Sequence, residues 1–335
     1  MKYSIILPVR NGGEYVKVCV NSILSQTLND FNLLVLDNCS TDGTFEWIDG
    51  LKDERIKIFP AQKSLTIEEN WSRITGIEKN EFITLIGHDD VLDNDYLQVM
   101  DLLIEKFPEA SLYQTHFRFI DEHGKEISKC LPMSEVENAA AFLHSFLTDK
   151  IDIMGTGFLM RSKDYDAIGG IPFYPNLLFA DFELWLNITL KSYKATAEKE
   201  CFAFRKHVST TTSSPDTKMQ QAFGQFINYL KNLKEKDLLF KKEIEENGIA
   251  FIEFYCRGLA HRLMRTTKEK RNGLTVKSFL SDCKHYADEL VPGNNYNPTN
   301  NKSVLLAKYI DSNTITRNMF LLFKKIYAKP IIGRN

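Results

Sequence analysis

The chain has no Cys-x-x-Cys pair, no long apolar run and no excess of one charge, and each absence removes a class of function. Its six cysteines (Cys19, Cys39, Cys130, Cys201, Cys256 and Cys283) are scattered, so neither a disulfide framework nor a zinc cluster follows from their spacing. Nowhere do apolar residues approach the ~18 in a row that a membrane span needs. The opening run Tyr3-Ser4-Ile5-Ile6-Leu7 stops at Pro8 and lacks the basic start and cleavage site of a secretory leader. A reduced, cytoplasmic setting is the expectation. With 42 Lys and Arg against 44 Asp and Glu, the net charge of −2 argues against a nucleic-acid binder working through whole-molecule charge. Neither Gly-x-x-x-x-Gly-Lys nor Gly-x-Gly-x-x-Gly occurs, which disfavours an ATPase and a dinucleotide oxidoreductase.

What remains is a chain of ordinary globular composition, 43% hydrophobic and 26% charged, whose 335 residues suggest two domains or one domain with an appendage. Over the first ~120 residues short apolar runs alternate with amphipathic segments, the pattern of βα units around a mostly parallel sheet. Strands are predicted at Tyr3–Leu7, Phe31–Leu36, Ile56–Phe59, Phe82–Ile86 and Ser111–Ile120, and helices at Glu14–Gln26, Ile67–Ile77 and Asp95–Phe107. After a helix at Ala139–Leu147 the regularity changes. A Gly-rich stretch, Met154-Gly155-Thr156-Gly157, precedes a segment Arg161–Ile168, a helical run Ala180–Lys191 and a strand-like run Lys194–Phe204. Ser209–Pro215 reads as a boundary loop, which divides the chain into residues 1–212 and a helical region 213–335.

In an open α/β sheet, ligands bind beyond the carboxyl ends of the strands. Pro8-Val9-Arg10-Asn11-Gly12-Gly13 follows the first strand, Asp37-Asn38-Cys39-Ser40-Thr41-Asp42-Gly43-Thr44 the second, and Gly87-His88-Asp89-Asp90 the fourth. Together they offer a small-residue turn, a hydrogen-bonding loop and a carboxylate pair. Asp37 or Asn38 suits the edge of a nucleobase, and adjacent carboxylates suit a hard divalent cation on a diphosphate. The bland alternatives are a capped strand-to-helix turn for Asp89-Asp90 and turn formation for Asp37 and Asp42.

These runs, with Ile23-Leu24-Ser25-Gln26-Thr27, Asn70-Trp71-Ser72-Arg73, Ala180-Asp181-Phe182-Glu183-Leu184-Trp185-Leu186 and Arg205-Lys206-His207, resemble a family 2 glycosyltransferase of GT-A fold. The resemblance covers residues 1–212, in order. It implies that Pro8, Val9, Asn11, Asp37, Asn38, Arg73 and Asp89 bind the nucleotide. It further implies that Asp89, Asp90 and His207 hold a divalent metal, Mn2+ or Mg2+, and that Asp181 is the catalytic base. Two departures leave choices open. Gly87 stands where the family often has aspartate, so either Asp89 or Asp90 is the metal ligand. Cys39 stands where it usually has glycine, so the base contact falls on Asp37 or Asn38. The Gln-x-x-Arg-Trp element of processive synthases is missing, which implies transfer of single sugars.

The activity implied is inverting transfer from a nucleotide-diphosphate sugar, UDP being the expected nucleotide, to a surface-polysaccharide or glycolipid precursor in a bacterial cytosol. The rival readings are a nucleotidyltransferase and a non-catalytic sugar-nucleotide or glycan-binding module. The helical region says less. Ala222–Leu239 and Ile249–Leu263 have apolar residues at helical spacing, suited to packing on the catalytic domain or on a partner subunit of a homo-oligomer. Residues 301–335 hold seven basic side chains against one acidic, +6, which leaves −8 on residues 1–300. Two readings fit the amphipathic segment 314–335: peripheral contact with an anionic membrane surface, or a packed terminal helix with a solvated basic face.

Overall fold

The computed structural model describes residues 1–207 and 216–326, and the chain falls into two compact units, Met1–Val208 and Ser209–Asn335. The loop Ser209–Pro215, with the boundary at 212/213, lies outside the described residues, as do residues 327–335 of the basic tail.

The first unit is an α/β sheet of ten strands. Strands β1 (Tyr3–Val9), β2 (Phe31–Asp37), β3 (Ile56–Ile58) and β4 (Phe82–Leu85) run parallel in the order β3-β2-β1-β4. Every residue of β1 and β2 is buried, as an apolar run covered on both faces requires. Beyond β4 the sheet becomes mixed. β9 (Phe158–Arg161) lies antiparallel between β4 and β6 (Leu112–Ile120), and β10 (Lys194–Arg205) runs parallel to β6. Short strands β5 (Val91–Leu92) and β8 (Val136–Glu137) pair with β10, and β7 (Glu126–Lys129) with β6. In the segment Arg161–Ile168, Ser162–Ala167 is helical, and Arg161 instead ends a strand, Phe158–Arg161, that the sequence reading did not mark. Pairing on both edges makes so short a strand, and neither partner is its neighbour in sequence.

Helices α1 (Gly13–Leu24), α2 (Thr44–Gly50), α3 (Ile67–Ser72), α4 (Tyr96–Lys106), α5 (Ala139–Leu147), α6 (Ser162–Ala167) and α7 (Ala180–Thr189) accompany the sheet. α1 turns Val16, Cys19, Val20 and Ile23 inward, the spacing of a helix with one buried stripe. α3 starts on a capping box, in which the Thr66 hydroxyl accepts from the Glu69 N–H and the Glu69 carboxylate accepts from the Thr66 N–H.

The second unit is helical throughout its described residues: α8 (Lys218–Lys234), α9 (Leu238–Arg265), α10 (Val276–Leu290), α11 (Lys302–Ser312) and α12 (Thr314–Ile326), with short 3-10 turns between them. Phe223, Phe226, Ile227, Phe251, Phe279 and Leu290 lie in its core. No helix among the described residues is long and apolar enough to cross a membrane.

Candidate active site

The parallel register carries β1 and β2 to a common end at Val9 and Asp37. The two loops that follow are stitched together by hydrogen bonds. Asn11, at φ 52, donates its N–H to Ser40 Oγ (3.0 Å) and accepts from the Thr41 N–H (2.8 Å). Gly12 N–H reaches Thr44 Oγ1 (3.0 Å) and Gly13 N–H reaches Asp42 Oδ2 (2.9 Å). Asp42 is thereby a turn former. Pro8 and Val9 are buried at the strand end, where the Val9 carbonyl accepts from the Asn38 N–H (2.9 Å).

Asp37 and Asn38 differ in what they have to spare. The Asn38 side chain is fully used on Leu65, donating to its carbonyl (2.9 Å) and accepting from its N–H (2.8 Å). Asp37 Oδ2 accepts from the Ser40 N–H (3.2 Å), whereas its buried Oδ1 has no partner. Buried acceptors are nearly always matched, so an orphan at a strand end marks a place for a donor. Arg73 is half-buried. Its guanidinium donates to the Asp37 carbonyl (3.2 Å), to Asn70 Oδ1 (2.8 Å) and to the Phe59 carbonyl, and burial lowers its pKa. It forms one wall of a cleft of about 530 Å3, with Pro60, Ala61, Gln62, Lys63 and Leu65.

A second group forms around the turn after β4. Asp90 is buried: Oδ2 accepts from Thr156 Oγ1 (2.7 Å) and Oδ1 from the Arg205 N–H (3.1 Å). Asp89 Oδ2 accepts from His207 Nε2 (2.6 Å), and the Asp89 carbonyl accepts from Arg205 Nε (2.8 Å). Tyr15 of α1 backs both side chains, 4.7 Å from the Arg205 guanidinium and 5.4 Å from the His207 ring. Burial and then the neighbouring Asp89 charge push Asp90 up to about 8, against the two hydrogen bonds.

Asp181 is the second residue of α7, and its Oδ1 accepts from the Phe182 N–H (2.8 Å). The approach to it is strained, with Asn176, Leu177 and Phe179 at φ 55, 56 and 69, a region that disfavours side chains. Glu68 Oε1 pins this loop by accepting from the Asn176 N–H (2.6 Å). A Cβ on Gly155 would stand 3.8 Å from both Cβ and Oδ2 of Asp181, and the next residue, Thr156, is the one bonded to Asp90. Two consecutive residues therefore link Asp181 to the Asp89-Asp90 pair. Close packing withdraws Asp181 from water and pushes its carboxyl up to about 6.

Residues 4–169 match the profile of Glycosyl transferase family 2. That stretch belongs to this family. The chain is similar to GlyG, a glycosyltransferase of Streptococcus pneumoniae, at 25% identity over 36% of this chain and 41% of GlyG, so it spans under half of that relative. It is similar at 22% identity to TuaG of Bacillus subtilis, whose name assigns it to teichuronic acid biosynthesis, over 70% of this chain and 97% of TuaG. In fold it resembles S. aureus TarS 1–349, crystallised in complex with UDP-GlcNAc, with a TM-score of 0.63, 14% identity, and 99% and 93% of the two chains covered.

Within the glycosyltransferase domain the residues expected at the site form two groups: Pro8, Val9, Asn11, Asp37, Asn38 and Arg73 around β1 and β2, and Asp89, Asp90 and His207 around the β4 turn. Asp181 adjoins the second through Gly155. Tyr15 went unread, and Thr156 and Arg205 stood only within motifs, with no part assigned to them at the carboxylate pair. Arg205 stands two residues before His207, but its backbone contact with Asp90 is a product of strand placement, which sequence does not display.

Among the described residues no three His, Cys, Asp or Glu side chains gather as a ready cage for a metal. The oxygens nevertheless suit one. A Cβ on Gly87 would stand 2.7 Å from Asp89 Oδ1 and 3.0 Å from Asp90 Oδ2, so both carboxylates face a single spot that only glycine leaves clear. Hard oxygen donors crowded against each other fit a divalent cation, whose charge relieves their repulsion.

Proposed function

We propose that this chain transfers one sugar from a UDP-sugar to a hydroxyl of a surface-polysaccharide or glycolipid precursor, with inversion at the anomeric carbon. The observation that supports the reading is that Gly155, whose Cβ position would lie 3.8 Å from Asp181, directly precedes Thr156, the donor to Asp90, so one short loop runs from a carboxyl of raised pKa to a carboxylate pair suited to a diphosphate's cation. The UDP-GlcNAc bound to TarS supports the choice of nucleotide, and the name of TuaG supports a cell-envelope acceptor.

In this reading the acceptor oxygen attacks the anomeric carbon from the face opposite the diphosphate. The new C–O bond forms as the bond to the phosphate oxygen breaks, the diphosphate leaves with the electron pair, and the hydroxyl proton passes to Asp181. A carboxyl near 6 is ionised at neutral pH yet more basic than an ordinary aspartate, which suits a proton acceptor. Asp89, Asp90 and His207 would hold Mn2+ or Mg2+, which when bound supplies charge neutralisation to the departing diphosphate. Thr156 and the Arg205 N–H fix the Asp90 carboxylate, and the His207 ring fixes that of Asp89. At the other end Asp37 Oδ1 accepts from a donor on the base, with Pro8, Val9, Asn11 and Arg73 around it.

A panel of nucleotide sugars with manganese, scored for donor hydrolysis, tests this. Release of UDP from a UDP-sugar is expected. Binding of UDP without hydrolysis of any donor would leave the binding-module reading in its place, and release of pyrophosphate from a nucleoside triphosphate with a sugar phosphate would point to the nucleotidyltransferase.

A further inference from the structure

The last helix turns large apolar side chains outward and a cation inward. Arg317 is the one buried side chain described on α12, 6% exposed, while Ile315, Met319 and Leu322 are 70%, 66% and 62% exposed. The buried guanidinium does the anchoring: Nη2 donates to the Thr266 carbonyl (2.7 Å), and Nε faces Asp311, which also pairs with Arg271 (2.7 Å). Positions 315, 319 and 322 fall on one stripe at helical spacing, so an apolar stripe of α12 looks outward, while Phe320 and Leu321 are half-buried on the Arg317 side. The preceding helix buries Val304 and Ala307 in the ordinary way but also leaves Leu305, Leu306 and Tyr309 exposed. A water-facing helix has its apolar stripe inside. Large exposed apolar patches mark surfaces that meet another phase or partner.

We propose that α11 and α12 dock this protein on an anionic lipid bilayer. The terminal segment has two sequence readings, and the outward stripe supports the one with peripheral membrane contact. Charge selects the occupant. Residues 301–335 carry +6, and a second copy meeting this face across a two-fold axis would bring two such stretches together. An acidic bilayer takes up the apolar stripe and attracts the basic side chains at once.

Sedimentation of the full chain with phosphatidylglycerol vesicles tests the proposal. Binding is expected there and not with phosphatidylcholine alone, and it should fall as salt rises. Ile315→Ser, Met319→Ser and Leu322→Ser together should weaken binding about tenfold or more, with an unchanged melting temperature because all three side chains are exposed. If that variant is unstable, Lys308→Glu with Lys324→Glu should lower binding to the acidic vesicles instead. The proposal is overturned if the wild type stays in solution with phosphatidylglycerol, or if the substituted proteins bind as tightly as the wild type. It also fails if the lipid-free chain is a dimer that the triple substitution dissociates. None of these readings depends on sugar transfer, so the docking and the proposed activity stand or fall separately.

Discussion

The two sides of the site are built on opposite principles. Around β1 and β2 almost every polar group is already matched: Asn11 to Thr41, Asn38 to Leu65, Arg73 to three acceptors, with Asp37 Oδ1 the exception. Around the β4 turn and α7 the carboxyls are unsettled, Asp90 near 8 and Asp181 near 6. A prepaid network holds a fixed shape and suits recognition, whereas a carboxyl kept out of balance is ready to change its proton or its charge partner. On the proposed function, the first side takes the nucleoside and the second the reacting bond.

The sharpest test of that division is Asp181→Asn. Transfer should fall by about 10³-fold, the usual scale for losing a general base, while UDP affinity stays within about twofold. A variant that retains transfer would end the assignment of the base. Next, Asp90→Ala should abolish most of the metal-dependent part of UDP binding, measured calorimetrically with and without Mn2+; metal-independent binding by the wild type would undo the site. Asp37→Ala should weaken UDP about tenfold through loss of a charged acceptor, with kcat nearly unchanged. Should kcat fall instead, the recognition side is also a reacting side.

Smaller effects follow from pH. As the proposed base, Asp181 would act ionised, so kcat/KM should be level above about 6 and drop about tenfold per pH unit below it, a limb absent from Asp181→Asn. Stability runs the other way. A carboxyl whose folded pKa is raised costs nothing while protonated in both states, and the cost grows as pH climbs from its unfolded value toward about 6. Asp181→Asn should therefore melt a few degrees higher than the wild type at pH 7.5, and the gap should close toward pH 4.

The recognition side was largely legible in the sequence because its parts are contiguous. Each motif directly follows a strand, and apolar runs such as Phe31–Leu36 announce the strands. What could not be read there was occupancy: Asn38 looked as available as Asp37, and only the placement of Leu65, far along the chain, uses it up. The reacting side was legible as residue types but not as a structure. Asp181 and His207 were visible, whereas Thr156 matters through a partner 66 positions away, and β9 exists only because β4 and β6 flank it. Local pattern shows what a segment prefers; it is silent about which distant group will claim it.

The left-handed backbone at Leu177 and Phe179 has a consequence on the scale of lineages. Glycine at either position would relieve strain of about 1 kcal/mol or more and loosen the lead into α7. Ordinary drift toward a sturdier protein therefore runs, at these two positions, against keeping Asp181 in place, and a descendant freed from selection for transfer should lose that strain early.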